Sequence, residues 1–335
     1  MDSEKIEKAF SMMEEAIQHL QQALDTPFFD AYIETAENFV DGQRVRVIDG
    51  QPTKEVAKKL ESLYQEIAAL ALEKEEWRKL TQLLLLKGSK NESIQPNHQL
   101  TPDSLGFLFV FLIEQLRAEK QKPIRVLDIA VGMGNLLMTV VLNLQAANYQ
   151  VQGSGVDIDD TLLAIAASNG ALMDQPLELF HQDSLQDLLV DPVDIAMGDL
   201  PVGYYPNDEK AKRFKTHSET NHSYAHHLLM EQAMKYVKKS GFGIFLVPSN
   251  FLETDQGPLL RRWLGQDVYL QGVIQLPDEL FKSEHSRKSI LILQNTGETA
   301  QQAEKVLLVK LATLKEPTKV TEFFKKFEDW KSSNL

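Results

Sequence analysis

The 335-residue sequence contains no cysteine. That absence excludes disulfides, thiolate nucleophiles and cysteine-ligated zinc or iron–sulfur centres, and it fits a reducing compartment. Long apolar runs are also missing. None approaches the ~20 residues of a membrane-spanning helix. The opening Met1-Asp2-Ser3-Glu4-Lys5 offers neither a basic n-region nor an apolar h-region. The expectation is a cytoplasmic protein with no membrane partner. Positive charge is scarce: 35 Lys and Arg face 48 Asp and Glu, a net of −13. Residues 1–95 hold 12 basic against 18 acidic side chains, and residues 96–335 hold 23 against 30, so neither half is a basic module masked by an acidic tail. This balance disfavours tight non-specific duplex binding, which needs Lys and Arg on phosphates.

What is present reads as a folded chain of about two domains, at roughly 100–200 residues each. Ile6, Phe10, Met13, Ile17, Leu20 and Leu24 recur at steps of four and three, which predicts a helix with one apolar face. A second helix is expected over 28–40. Val45, Val47 and Ile48, between two Asp-Gly turns, predict a short strand. Thr53 reads as the N-cap of a third helix reaching about Lys74, and a fourth is expected over 76–87, stopping at Gly88. These stripes predict a helical-bundle core. Any apolar area left over would serve as a docking or dimerisation surface, for a second copy or another protein. The polar stretch 88–99 marks a boundary, giving a helical N-terminal domain over 1–95 and a second domain over 96–335.

From Ile124 the pattern changes to short β-rich runs (124–129, 152–157, 177–181, 193–197, 242–247, 268–276, 288–294) separated by helices near 103–119, 134–147, 160–170, 222–238 and 257–264. Such alternation predicts a parallel sheet covered by helices. Only a polar loop joins the last two runs, so that pair is expected to be antiparallel.

The most informative segment is Asp128-Ile129-Ala130-Val131-Gly132-Met133-Gly134-Asn135, a strand end followed by a glycine turn and a helix. Ligands bind at the carboxyl ends of strands in open α/β sheets. The third glycine of a dinucleotide fingerprint is replaced by Leu137. Asp128 stands where a pyrophosphate would be repelled, which favours a cationic or zwitterionic ligand over a nicotinamide dinucleotide. Asp157, 25 positions after Gly132, ends the second strand, where an acid commonly accepts from ribose hydroxyls. Asp159 suits a helix N-cap better. Asp183 reads either as an acceptor for an adenine amine or as the cap of a following helix.

The fourth strand leads into Asp199-Leu200-Pro201-Val202-Gly203-Tyr204-Tyr205. Taken in order, the motifs resemble those of class I S-adenosylmethionine-dependent methyltransferases, specifically the N6-adenine DNA methyltransferases of the restriction-system modification-subunit type. Thr101-Pro102 matches the pair that precedes the first core helix. Asp128, Ala130, Gly132 and Gly134 match the cofactor loop, and Asp157 matches the acid after the second strand. Asp199-Leu200-Pro201-Val202 stands at the Asn/Asp-Pro-Pro-aromatic motif. Gly241 to Pro248, followed by Ser249-Asn250-Phe251-Leu252, and Leu276-Pro277 with Phe281 match the later motifs.

The resemblance implies a Rossmann-like α/β fold with a seven-stranded mixed sheet, last strand antiparallel, behind the helical N-terminal domain. It implies S-adenosylmethionine as cofactor, held by these residues with Asn135, Ile158, Asp183 and Ser184. It also implies methyl transfer to an exocyclic amine of DNA. Asp199 and the Leu200 carbonyl would take the two N–H groups of the amine and turn its lone pair toward the methyl donor, on a loop shaped by Pro201. Here Leu200 replaces the first proline and Val202 the aromatic, so base stacking would fall to Tyr204 or Tyr205. These departures also admit an S-adenosylmethionine-binding protein that has lost DNA methylation and acts through partners, or a related acceptor such as a protein glutamine amide.

Two features remain. His217, His222, His226 and His227 cluster, with His222 and His226 spaced for one helix face, but no third ligand is evident and no metal is expected; they read as an exposed loop and a first helical turn. Lys210, Lys212, Arg213 and Lys215, with the smaller group at Arg287-Lys288, form the best basic patches for a nucleic-acid path.

Overall fold

The computed structural model describes residues 2–92, 95–117 and 121–335. Four helices open the chain: α1 (Ser3–Leu24), α2 (Phe28–Val40), α3 (Lys54–Ala69) and α4 (Lys74–Asn91). Asp2 caps α1 by accepting from the Glu4 and Lys5 amides at 3.1 and 3.2 Å, and Thr53 caps α3 through the Val56 amide. The third helix ends earlier than its apolar spacing suggests, because Ala71 turns the chain at a positive φ of 48°. The fourth continues through Gly88 instead of stopping there. A Cβ at Gly88 would stand 2.5 Å from Phe28 Cδ1, so the glycine serves the approach of a ring and not a C-cap. Val45–Ile48 makes no strand; Ile48 forms a single bridge with Gln51.

The rest of the chain runs α5 (Asp103–Leu116), β1 (Ile124–Asp128), α6 (Asn135–Ala146), β2 (Val151–Asp157), α7 (Asp160–Leu172), β3 (Glu178–His181), β4 (Val193–Asp199), α8 (Asp208–Ala211), α9 (Ala225–Tyr236), β5 (Val237–Pro248), α10 (Gly257–Gln266), β6 (Val268–Gln275), β7 (Lys288–Asn295), β8 (Leu307–Lys310) and α11 (Pro317–Asn334). The expected end of α5 at 118–119 lies outside the described residues, as do residues 93–94 beside the expected domain boundary.

The strands form one sheet in the order β3-β2-β1-β4-β5-β7-β6-β8. It has eight strands, not seven; the run over 288–294, expected as the last and antiparallel strand, is β7 and is antiparallel to both neighbours. β7 inserts antiparallel between β5 and β6, and β8 adds to the far edge parallel to β6. Sequence spacing missed β8 because it is four residues long with a single buried position. The helix α11 was also unforeseen. Phe323 and Phe327 dock it on α5, where Phe111 stacks on Phe324 with ring centroids 3.8 Å apart.

The four N-terminal helices do not close a bundle of their own. Their buried side chains, among them Met13, Ile17, Tyr32, Leu60 and Leu80, share one core with Met138, Leu142, Leu162 and Ile165 of α6 and α7. One buried cation crosses this junction. Arg78 of α4 forks onto Glu75 and Asp103 at 2.7–3.1 Å and donates to Thr139 of α6 at 3.1 Å. A guanidinium removed from water needs such a full set of acceptors.

Candidate functional site

The strand order reverses between β1 and β4, so the carboxyl ends of β1, β2 and β4 converge where open α/β sheets bind ligands. Asp128, at the end of β1, is 1% exposed. Its carboxylate accepts from the Ala130 amide at 3.2 Å. Burial pushes this carboxyl up to about 7, and the charges of Asp157 and Asp199 add to the push. The loop then turns through Gly132 and Gly134 at φ +52° and +81°, values that favour glycine. The space where a Gly132 side chain would project is open, whereas Gly134 lies against Ala166 of α7.

The helical layer reaches this loop directly. The Tyr32 hydroxyl donates to Asn169 Oδ1 at 2.5 Å, and Asn169 Nδ2 donates to the Met133 carbonyl at 3.0 Å. Burial pushes the Tyr32 phenol up, so it stays a neutral donor. Sequence reasoning missed this link; no local signal joins positions 137 residues apart.

Asp157 and Asp159 divide their work as the sequence suggested for the cap. Asp159 accepts from the Leu162 amide at 3.0 Å and caps α7. Asp157 turns to the glycine loop, with Oδ2 accepting from the Gly132 amide at 2.8 Å and Oδ1 from the Asp159 amide at 3.1 Å. A carboxylate has about four lone-pair sites, so two remain for a diol. Ile158 beside it is 69% exposed and presents an apolar face. Ser184 Oγ donates to the Ile129 carbonyl at 2.7 Å. Asp183 caps no helix: the segment between β3 and β4 forms none, and the carboxylate instead accepts from the Leu185 amide, the Tyr205 hydroxyl at 2.7 Å and Lys210 at 3.0 Å. Burial alone would raise this carboxyl, but these donors hold it below the usual range.

Asp199 ends β4. Thr101 Oγ1 donates to its Oδ2 at 3.0 Å, and Lys288 Nζ pairs with its Oδ1. Asn135 Nδ2, at the start of α6, donates to the Thr101 carbonyl at 2.7 Å. Asn135, Thr101, Asp199 and Lys288 thus form one polar chain across the site, with Pro102 leading from Thr101 into α5. Leu200 is fully buried, Pro201 half-buried, and Val202 is held through its backbone by Asn97, which donates to its carbonyl and accepts from its amide, both at 3.1 Å. Tyr204 is 56% exposed and stacks on Tyr224, centroids 4.7 Å apart. Tyr205 is committed to Asp183, which leaves Tyr204 as the available ring.

Residues 84–330 match the family model described as N-6 DNA Methylase. The chain belongs to that family. Residues 7–89 match a second model, the YtxK N-terminal helical domain. An uncharacterized protein, YtxK of Bacillus subtilis strain 168, is 36% identical over 333 residues, 98% of each chain. A crystal structure of a putative class I S-adenosylmethionine-dependent methyltransferase from Listeria monocytogenes is 38% identical, with a TM-score of 0.89 over 98% of this chain and all of that one. The methyltransferase subunit of a type I restriction-modification system from Streptococcus thermophilus shares the fold at 14% identity, with a TM-score of 0.68 over 96% of this chain and 74% of that one. Family and fold are those of S-adenosylmethionine-dependent methyltransferases. The open space at Gly132 and the spare acceptor sites of Asp157 fit the ribose of that cofactor.

Two features of this N-6 DNA methylase family member depart from the sequence expectations. Each cation of the basic loop meets a carboxylate from outside it: Lys210 pairs with Asp183, Lys212 with Glu209, Arg213 with Asp187 and Lys215 with Asp267. The histidines are not one exposed group. His222 precedes α9 and pairs with Asp208, so it shares no helix face with His226. His226 and His227 are 2% and 0% exposed, and among the described residues neither ring nitrogen of His226 has a hydrogen-bond partner. Burial drives both down, His226 to about 3 and His227 to about 4, so both are neutral at pH 7.

Proposed function

We propose that this protein is an N-methyltransferase that binds S-adenosylmethionine across the glycine loop and methylates an exocyclic amine, with adenine N6 of DNA as the acceptor. The observation that carries this reading is the position of Asp199, at the carboxyl end of β4 and joined through Thr101 to Asn135 beside the glycine loop. On this reading Thr101, Pro102, Asp128, Ala130, Gly132, Gly134, Asn135, Asp157, Ile158, Asp183 and Ser184 form the cofactor side. Asp199, Leu200, Pro201 and Tyr204 form the acceptor side. The cofactor supplies an electrophilic methyl group. Asp199 accepts one N–H of the amine, the Leu200 carbonyl accepts the other, and Tyr204 offers a π-face to an extruded base. Radiolabelled methyl transfer to unmethylated DNA, duplex and single-stranded, tests the reading. Incorporation lost in Asp199→Ala supports it, and incorporation no greater than in that variant overturns it.

A second reading has its own support. Each of the four cations in the 210–215 loop already has a carboxylate partner, and Val202 stands where the family motif has an aromatic. A protein so arranged binds the cofactor but contacts DNA, or another planar nitrogen such as a glutamine amide, only with a partner. A second copy or another protein would dock on the helical layer. Methylation of DNA by the isolated chain would eliminate this alternative.

A further inference from the structure

We infer that Lys288 is a specificity-determining residue: its ammonium occupies Asp199 and turns the methyl end of the site against cationic ligands. The inference rests on the cofactor reading above and deepens it. β7 runs opposite to the strands beside it, so its first residue lies at the carboxyl edge of the sheet, where a parallel strand would place its last. Lys288 is paired with Pro248 there, and its side chain reaches Asp199 on β4, two strands from its own. With Thr101 on Oδ2 and Lys288 on Oδ1, each oxygen of Asp199 already has a protein donor. Both partners are largely sheltered, Lys288 at 23% and Asp199 at 21% side-chain exposure, so solvent screens the pair only in part. Asp199 is the carboxylate that balances the ammonium, and the other acid close to it, Asp128, is buried and pushed up to about 7. Arg287 is committed to Asp278 and Glu284, and His226, which lies within reach of the Lys288 charge, is neutral.

The consequence concerns charge. S-adenosylmethionine carries a positive sulfonium at its reactive end, whereas the product, S-adenosylhomocysteine, is a neutral thioether there. A free Asp199 would attract the sulfonium, and an Asp199 already paired with an ammonium does not. The site as built therefore favours the neutral thioether over the sulfonium, and an acceptor amine binds at the lone-pair sites that Thr101 and Lys288 leave on the carboxylate.

Titration calorimetry on the full chain tests this with three probes: S-adenosylhomocysteine, S-adenosylmethionine, and sinefungin, which carries a protonated amine where the sulfonium methyl would be. Lys288→Met should bind the two cationic probes about tenfold more tightly, the scale of one charge interaction across several ångströms at a protein surface. Affinity for S-adenosylhomocysteine should stay within about twofold, which also reports an intact fold. Lys288→Gln, which keeps a polar end, should show the same selectivity, and adding Asp199→Asn to Lys288→Met should abolish the gain. Equal shifts for all three probes, no shift, or weaker binding of the cations would overturn the inference. If S-adenosylhomocysteine binds neither wild type nor variant, the cofactor reading itself fails, and the role of Lys288 with it.

Discussion

Asp128→Asn tests the physical account of the glycine loop without any ligand. The Asp128 carboxyl moves from its ordinary 3.8 to about 7 on folding. At about 1.36 kcal/mol per pH unit, that links on the order of 4 kcal/mol of folding free energy to one proton. The sign follows from proton counting. Between about pH 4 and pH 7 the folded chain keeps a proton that the unfolded chain has lost. The contribution of Asp128 is therefore fully present below pH 4, and it is lost as pH rises through 7. An asparagine keeps an oxygen for the Ala130 amide and has no charge to bury, so the variant lacks this loss. Urea titrations of both proteins from pH 4.5 to 8.5 should show wild-type stability falling relative to the variant as pH rises, then a constant gap above about pH 8. His226 and His227 produce the opposite trend, because their depressed values give stability that is lost as pH falls toward 4. That trend is common to both proteins and cancels in the difference. A gap that is flat with pH, or one that moves in favour of wild type as pH rises, would refute the reasoning.

Other consequences are equally direct. Tyr32→Phe leaves Asn169 Oδ1 buried without its donor, which should cost about 1–3 kcal/mol in chemical denaturation and weaken S-adenosylhomocysteine binding through the Met133 carbonyl, read by calorimetry. Gly134→Ala forces a Cβ to 3.0 Å from the Ala166 Cβ at a φ of +81°. It should lose at least tenfold in cofactor affinity, with about 1–3 kcal/mol of strain visible as a lowered Tm. Gly88→Ala would stabilise an ordinary helix interior by about 1 kcal/mol, but here the Phe28 ring stands 2.5 Å from the new methyl. A net loss in denaturant midpoint is expected, and a gain would show that the ring yields without cost.

Much of the fold was legible because its signals are local. Apolar residues at steps of three and four mark α1, and a glycine turn between a strand and a helix marks the β1–α6 loop. The acids at 157 and 159 announce a strand end and a cap. The antiparallel relation of β6 and β7 followed from the polar loop between them, whose sequence carries no crossover helix. Less visible were the elements whose stability comes from what they touch. The four residues of β8 are held by the edge of β6, and α11 by the aromatic cluster around Phe111. Gly88 reads as a stop signal in one dimension and proves to be a packing site in three.

The sequence by itself determined the fold class, the family and the residues that line the carboxyl edge of the sheet, because strand, turn and cap chemistry operates over a few residues. Only the tertiary structure decided what those residues hold. It tied Tyr32 to the glycine loop through Asn169, buried His226 and His227, paired the cations of the 210–215 loop with carboxylates, and put Lys288 on Asp199. Each of these depends on an interaction between elements distant in sequence, where burial and sheet order, not spacing, select the partner.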